Sequence, residues 1–350
     1  MPVHWYYSPT DIDRRYGRVT DFHRAPDVHP SSIMSLSNTG GAGRGGQKGT
    51  IIGDVINHGK AQYWGKQGVH YHRGMAAGEN TLNALVARLL VRTVVAEQGW
   101  APASFLREYV RFMTTPGSHN DTYAESYHRM FFANWARGTP PEQCADDDGH
   151  NIASAGGLVL LPPVAILAAA SAGGAREPAA AAAAAADAAV RQMYLTHRSE
   201  ELAAAARVYA RLLAALLCGT PLRDAAAAAG RALGLDLPAL AARGLDDRAV
   251  IGHGTFSSAC YIAHSLPALL YLAFKYADDP EAALIANTNV GGENCHRGAA
   301  LGAVMGAAHG KAALPLRWRT GLAAAPEIAA EAAGFGALVA ARAGAEQRAA

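Results

Sequence analysis

The chain has 350 residues, half of them apolar and 17% charged, with a net charge of +2. That length carries one large domain or two ordinary ones with an ample core, and the near-neutral balance argues against nucleic acid or an anionic membrane as partner. The four cysteines, Cys144, Cys218, Cys260 and Cys295, show no CxxC or zinc spacing and read as free thiols, and Asp11, Asp13, Arg14 and Arg15 stand where a signal peptide needs its apolar run, so a cytoplasmic location is expected.

Residues 1–40 combine Trp5, Tyr6 and Tyr7 with several prolines and little helical period, which predicts an arm packed over the domain. The glycine-rich run from Gly40 to Gly49 fails as a phosphate loop. Gly49 separates Lys48 from Thr50, where that pattern needs the two adjacent, so a turn is expected. Gly49 to Lys60, containing Gly53 and Asp54, reads as a short apolar helix. A polar loop with His70, His72 and Arg73 follows. Gly78-Glu79-Asn80 then opens an apolar helix running from Thr81 to about Gln98. Helices are expected over 100–115 and from the turn at Asn120, Asp121 and Thr122 to Ala136.

Asp146, Asp147, Asp148, His150 and Asn151 form an acidic loop before a buried helix starting near Pro163. The stretch from Gly149 to Ala175 has no Lys, Arg, Asp or Glu, yet its glycine and proline pairs argue against a membrane span. Residues 175–189 are alanine-rich and helical by propensity. Leu195, Thr196 and His197 lead into a helix through Cys218, and another spans 222–233. Residues 243–256 read as irregular loop, 257–276 as an apolar helix broken by Pro267, and Asp278 to Glu281 opens the next helix. No alternating β-branched run competes, so the class is all-α.

The most information-rich stretch is Gly291-Gly292-Glu293-Asn294-Cys295-His296-Arg297, which runs directly into an apolar helix. Gly298, Gly302, Gly306 and Gly310 recur every four residues and share one face of it. That face is expected to meet a closely packed neighbour, making Gly302→Leu and Gly306→Leu destabilising. The Gly-Glu-Asn triplet occurs at two helix starts, 78–80 and 292–294. A helix start exposes unpaired amides and a partial positive charge, so it suits anions and the groups that handle them. The matched pair is expected to converge on one cleft, with the Glu79 and Glu293 carboxylates close enough to share a metal cluster. Asn80 and Asn294 can also be simple helix caps.

Cys295 admits three readings: a nucleophile activated at a helix N-terminus, a metal or polar site residue, or an inert buried thiol. His296 projects about 100° away round the helix, so a base for Cys295 would come from His72, His119 or His150. His197 reads as a capping and packing residue.

These landmarks resemble the ADP-ribosylglycohydrolase family, which includes the dinitrogenase-reductase activating glycohydrolases, the ADP-ribosylhydrolases and the J1-type crystallins. The matching features are Gly53-Asp54, the polar cluster opening a helix at 78–81, and Leu195-Thr196-His197. Ala286-Asn287 through Gly291-Gly292 then enters the small-residue helix, with Trp318 beyond. The resemblance covers roughly residues 48–322.

It implies a single-domain orthogonal helix bundle at 48–322, preceded by an arm and glycine-rich loop at 1–47 and followed by an alanine-rich tail helix at 323–350. It also implies a hydrolase that cleaves the bond to ADP-ribose in a small molecule or an ADP-ribosylated protein, using two magnesium ions held between the two helix starts. By position the first metal cluster falls on Gly78, Glu79, Asn80 and Thr81, and the second on Glu293, Asn294, Cys295 and His296. The family's aspartates are replaced there, and only Thr81 is unchanged.

Glu79, Asn80, Thr81 and Glu293 supply oxygens, whereas Cys295 and His296 suit manganese, iron or zinc better than magnesium. The expected catalytic residues are Glu79, Glu293 and Cys295. Substrate contacts are expected from Asp54, Asp121, His150, Asn151, Gly291, Gly292 and Asn294. The rival functions are a catalytically silent binding or structural protein of crystallin type and a hydrolase acting through Cys295.

Overall fold

The computed structural model describes residues 2–37, 39–40, 49–252 and 254–345. Alanine has the highest helix propensity and lets helix axes approach closely. The described residues accordingly form α-helices joined by 3-10 turns and short loops, with isolated bridges but no strand among them. In chain order the helices are α1 (Pro9–Tyr16), α2 (Leu82–Ala96), α3 (Pro102–Thr114), α4 (Ser126–Ala136), α5 (Pro162–Ser171), α6 (Pro178–Met193), α7 (Glu200–Leu217) and α8 (Leu222–Ala232). There follow α9 (Leu237–Ala242), α10 (Asp247–Val250), α11 (Ile262–Lys275), α12 (Pro280–Asn289), α13 (Asn294–His309), α14 (Leu316–Gly321) and α15 (Ala325–Ala345). Proline stands in the first turn of α1, α3, α5, α6, α9 and α12. Its missing N–H costs nothing there, because first-turn amides have no helical partner.

The apolar residues fall into two large clusters that meet at α5. Leu161, Ala165 and Ala169 recur every four residues and join the cluster made by α6, α7, α8, α11 and α13. Leu160, Val164 and Leu167 join the cluster made by α2, α3, α4 and Leu338 of α15. A helix buried on both faces must be apolar all round, which explains the charge-free composition near Pro163. No helix of the described residues is long and apolar enough to cross a membrane.

Several local expectations are corrected. The first forty residues are more than an arm, since they contain α1, and Val3, Tyr6, Ile12 and Val19 form a small core of their own. Residues 51–55 make one wide π-type turn instead of a helix, because Ile52 is extended and Gly53 sits at φ +105°. Pro267 lies inside α11 without breaking it, and the helix begins only at Ile262. A short helix, α10, interrupts the loop expected over 243–256. Residues 41–48, which hold most of the glycine-rich run, lie outside the described residues.

The glycine face of α13 is also corrected. A side-chain carbon at Gly302 would meet only Leu284, at 3.9 Å, and one at Gly306 would meet nothing within 4 Å. Only Gly298 is crowded, against Asn287 Nδ2 at 2.7 Å. The buried face of α13 is instead Arg297, Ala300, Leu301, Val304 and Met305.

Candidate active-site cleft and buried histidine network

The starts of α2 and α13 line one cleft of about 390 Å³. Gly78, Glu79, Asn80, Thr81 and Ala84 form one wall. Asn294, Cys295, Gly298 and Ala299 form the opposite wall, with Asn287 and Thr288 at the end of α12. Pro2, Phe22, His23, Trp318 and Leu322 complete the rim. Gly78 is needed because backbone from beyond α14 runs against it. At φ +80°, its missing Cβ would lie 2.1 Å from the Gly321 carbonyl oxygen, and its own carbonyl accepts from Ala323 N at 3.0 Å. That contact brings Trp318 and Leu322 to the cleft.

On the α2 wall the polar groups are partly spent on the turn itself. Glu79 Oε2 accepts from Ala76 N at 2.6 Å and from Asn120 Nδ2 at 3.3 Å. Asn80 Oδ1 accepts from Arg88 Nη1 at 3.1 Å. Thr81 occupies the N-cap position of α2, but its hydroxyl makes no cap bond. Asp121 caps the helix instead, its Oδ2 accepting from Leu82 N at 2.8 Å.

Behind the α13 wall lies a buried network. His72 donates Nδ1–H to Asp121 Oδ1 at 2.8 Å. His72 Nε2 faces His4 Nδ1 at 2.7 Å. His4 Nε2 meets Glu293 Oε1 at 2.7 Å. The N-cap of α13 is Glu293, whose Oε1 also accepts from His296 N. His296 Nδ1 lies 2.9 Å from Glu293 and 3.0 Å from Glu125, without straight alignment to either. Asn83 Nδ2 donates to Glu125 and to His296 Nε2, and Asn83 Oδ1 accepts from Tyr127 and His128. Cys295 Sγ, His4 and His72 place their ligand atoms within 4.8 Å of one another, and so do His4, Glu293 and His296.

Burial opposes charge on His72, Asp121, Glu125, Glu293, Cys295 and His296, and mutual attraction overrides it. His72 is held at about 9 by the Asp121 carboxylate despite desolvation. Asp121 is drawn down to about 2 by His72. Glu293 and Glu125 lie below the usual carboxylate range because His296 faces both, and His296 is raised in turn. The Cys295 thiol is lowered by His4 and His72 although burial would raise it.

The N-terminal segment is fastened by a two-way backbone pairing. Trp5 N donates to Gly292 O at 2.7 Å and Gly292 N to Tyr6 O at 2.8 Å. The Cβ that Gly292 lacks would lie 2.0 Å from the Ser258 carbonyl oxygen, and Gly292 sits at φ +63°. Trp5 itself adopts φ +60°, an uncommon conformation for a bulky residue. Its ring stacks on His4 at 3.9 Å.

The residues singled out from sequence therefore divide. Glu79, Asn80, Thr81, Asn294 and Cys295 line the cleft. Glu293 and His296 are buried behind it, and Asp121 is fully enclosed beside His72. Gly291 and Gly292 are buried against the Tyr6 and Ser258 backbone rather than at the cleft. Asp54 is exposed on the π-type turn. His150 is exposed against Tyr261, and Asn151 bonds Asp148 and lines a separate small cavity with Glu125 and Cys260.

His4, Asn83 and Glu125 were not singled out from sequence. His4 lies 289 positions from Glu293, and no local spacing connects them. For Asn83 the available signal was an amide in the first turn of an apolar helix.

A family model described as ADP-ribosylglycohydrolase matches residues 1–348. Among solved structures, the chain is similar to one titled "ADP-ribosylglycohydrolase-related protein complex", at 21% identity and a TM-score of 0.53, over 83% of this chain and 94% of that one. At that identity the likeness is one of fold. No curated protein matches the sequence.

Proposed function

The chain belongs to the ADP-ribosylglycohydrolase family, and from that premise we propose that it hydrolyses the glycosidic bond of an ADP-ribose-type nucleotide sugar, carried by a small molecule or by a modified protein. The observation that supports this most is the meeting of the two helix starts, Gly78 to Thr81 and Asn294 with Cys295, in one cleft. Phe22 and Trp318 at its rim offer aromatic faces for a nucleobase, and the volume suits part of a nucleotide with the remainder in solvent.

The magnesium expected from the resemblance does not fit the residues present. Magnesium needs a near-octahedral shell of oxygens. Here Glu79 Oε2 is occupied by Ala76 and Asn120, Asn80 Oδ1 by Arg88, and Glu293 Oε1 by His4 and His296, which leaves only Glu79 Oε1 and the buried Glu293 Oε2 as unengaged carboxylate oxygens of that set among the described residues. Cys295 stands where a further oxygen ligand is needed. No step is therefore assigned to that ion.

Glu79 is the cleft carboxylate suited to act as general base, since its Oε1 makes no hydrogen bond among the described residues. It takes a proton from a water whose oxygen bonds to the anomeric carbon, while the bond from that carbon to the acceptor breaks and the acceptor leaves with the electron pair. The Thr81 hydroxyl, unused as a cap, is available to orient the ribose hydroxyls.

The test is release of ADP-ribose from arginine-linked, serine-linked and O-acetyl-linked substrates. The parent should turn over at least one of them. Glu79→Gln should lose about 10²–10⁴-fold in kcat while its Kd for ADP-ribose stays within a few-fold. ADP-ribose binding without turnover of any substrate would instead establish the silent, crystallin-type reading.

A further inference from the structure

We propose that His4, His72 and Cys295 form a mononuclear transition-metal site of zinc type behind the α13 wall, reached from the cleft at Cys295. This goes beyond the proposed hydrolysis and does not depend on it. The first argument is the direction in which each ring is held. His72 gives its Nδ1–H to Asp121 at 2.8 Å, and His4 turns Nε2 to Glu293 at 2.7 Å. A nitrogen facing a carboxylate carries a proton, which leaves His72 Nε2 and His4 Nδ1 as the two nitrogens able to bind a metal once His72 gives up its second proton. Those two face each other across 2.7 Å. At that distance a cation lies between the two nitrogens, either the second proton of His72 or a metal ion that takes its place.

The second argument is that both rings already have the outer support typical of metal-bound histidine, a carboxylate on the distal nitrogen that fixes tautomer and orientation. One site having two such supports, from Asp121 and Glu293, is more than a buried proton needs. Third, Cys295 adds sulfur to the two nitrogens, all within 4.8 Å of one another. Two nitrogens and a thiolate make a soft donor set suited to zinc, iron or cobalt, not to magnesium or calcium. At metal–nitrogen distances of about 2.0–2.1 Å, tetrahedral ligand nitrogens stand about 3.3 Å apart, so the rings need to part by only about half an ångström.

Fourth, the trio has an entrance. His4 and His72 are buried, whereas Cys295 lines the cleft beside Pro2. Three protein ligands leave one tetrahedral position for water or substrate. The neighbouring group of His4, Glu293 and His296 is the weaker candidate. Its Glu293 oxygen already faces two histidines, and all three of its members are buried away from the cleft.

The same atoms also resemble a thiol activated by a histidine–aspartate pair, and the experiment separates the two. The full chain is stripped with a chelator and then titrated with zinc and, separately, cobalt(II), with metal content measured by elemental analysis. The site predicts one equivalent of zinc and a near-ultraviolet thiolate-to-cobalt charge-transfer band. It also predicts at least tenfold slower alkylation of the Cys295 peptide by iodoacetamide when zinc is present, with magnesium giving no protection.

Cys295→Ser and His72→Gln should each weaken zinc binding at least 100-fold, while Glu79→Gln, on the opposite wall, should leave it unchanged. Cys295→Ser is close to isosteric, and its thermal unfolding checks that the fold persists. Unchanged zinc affinity in Cys295→Ser, absence of the cobalt band, or rapid Cys295 alkylation regardless of zinc would overturn the proposal. The last result would identify the activated thiol instead. These readouts concern metal and thiol only, so their failure is distinct from a failure of hydrolysis.

Discussion

Gly292 and Gly306 are alike in sequence and opposite in what they permit. Gly292 sits at φ +63°, and a methyl there would lie 2.0 Å from the Ser258 carbonyl oxygen and 2.7 Å from its carbonyl carbon, backbone that cannot simply swing away. Gly292→Ala should destabilise the protein by about 2 kcal/mol or more and loosen the pairing that carries His4. Gly306 is helical with nothing within 4 Å of its absent methyl. Gly306→Ala should therefore stabilise by about 0.5–1 kcal/mol through helix propensity and reduced unfolded-state freedom. Urea unfolding of both variants checks the pair, and a loss of stability in Gly306→Ala would mean that the open face is covered in solution. The four-residue spacing of Gly298, Gly302, Gly306 and Gly310 was visible in the sequence. What faced them was not, because spacing places residues on one side of a helix without saying what lies opposite.

At the scale of elements, apolar period and proline starts were enough to place α2 to α8 closely, since these helices bury a face that local sequence encodes. The early segment near Gly53 failed because a positive φ interrupts an otherwise apolar pattern. The histidine network failed for a different reason, being assembled from a loop, a turn and three helix starts with no common period. The docking of α15 was legible only as a tail helix. It packs on α2 and α5 and carries Glu331, whose two oxygens meet Arg88 Nε and Nη2 at 2.8 and 3.0 Å, with Arg92 Nη1 at 2.8 Å. The carboxylate is only 12% exposed. Burial would raise its pKa, and the two guanidinium groups lower it overall.

A depressed carboxylate stabilises the fold above its unfolded value, about 4.3, and that contribution is lost as pH falls through the folded value. Glu331→Gln should therefore cost about 1–2 kcal/mol at neutral pH, with the gap from the parent narrowing towards about pH 3. A gap that stayed constant over that range would show that packing, not charge, holds α15 to α2.

For the molecule as a whole, the cleft is a meeting point of distant parts of the chain. Its walls come from Pro2, from Val19 to His23, from Gly78 to Thr81, from the end of α12 at Leu284 to Thr288, from the start of α13 at Asn294, Cys295, Gly298 and Ala299, and from Trp318 and Leu322. A ligand seated there touches elements from both large core clusters, α2 from one and α13 from the other. Binding to the folded state alone stabilises it by RT ln(1 + [L]/Kd), about 2.7 kcal/mol at one hundred times Kd. Unfolding entropy of about 2.1 cal/mol/K per residue over 350 residues converts that into a rise in Tm of about 4 °C. ADP-ribose at that excess should give this rise in one transition, and amide hydrogen exchange should slow together near residues 19–23, 78–84, 287–299 and 318–322. Protection confined to one of these segments would mean that the ligand binds a local surface and that the two helix starts do not share a site.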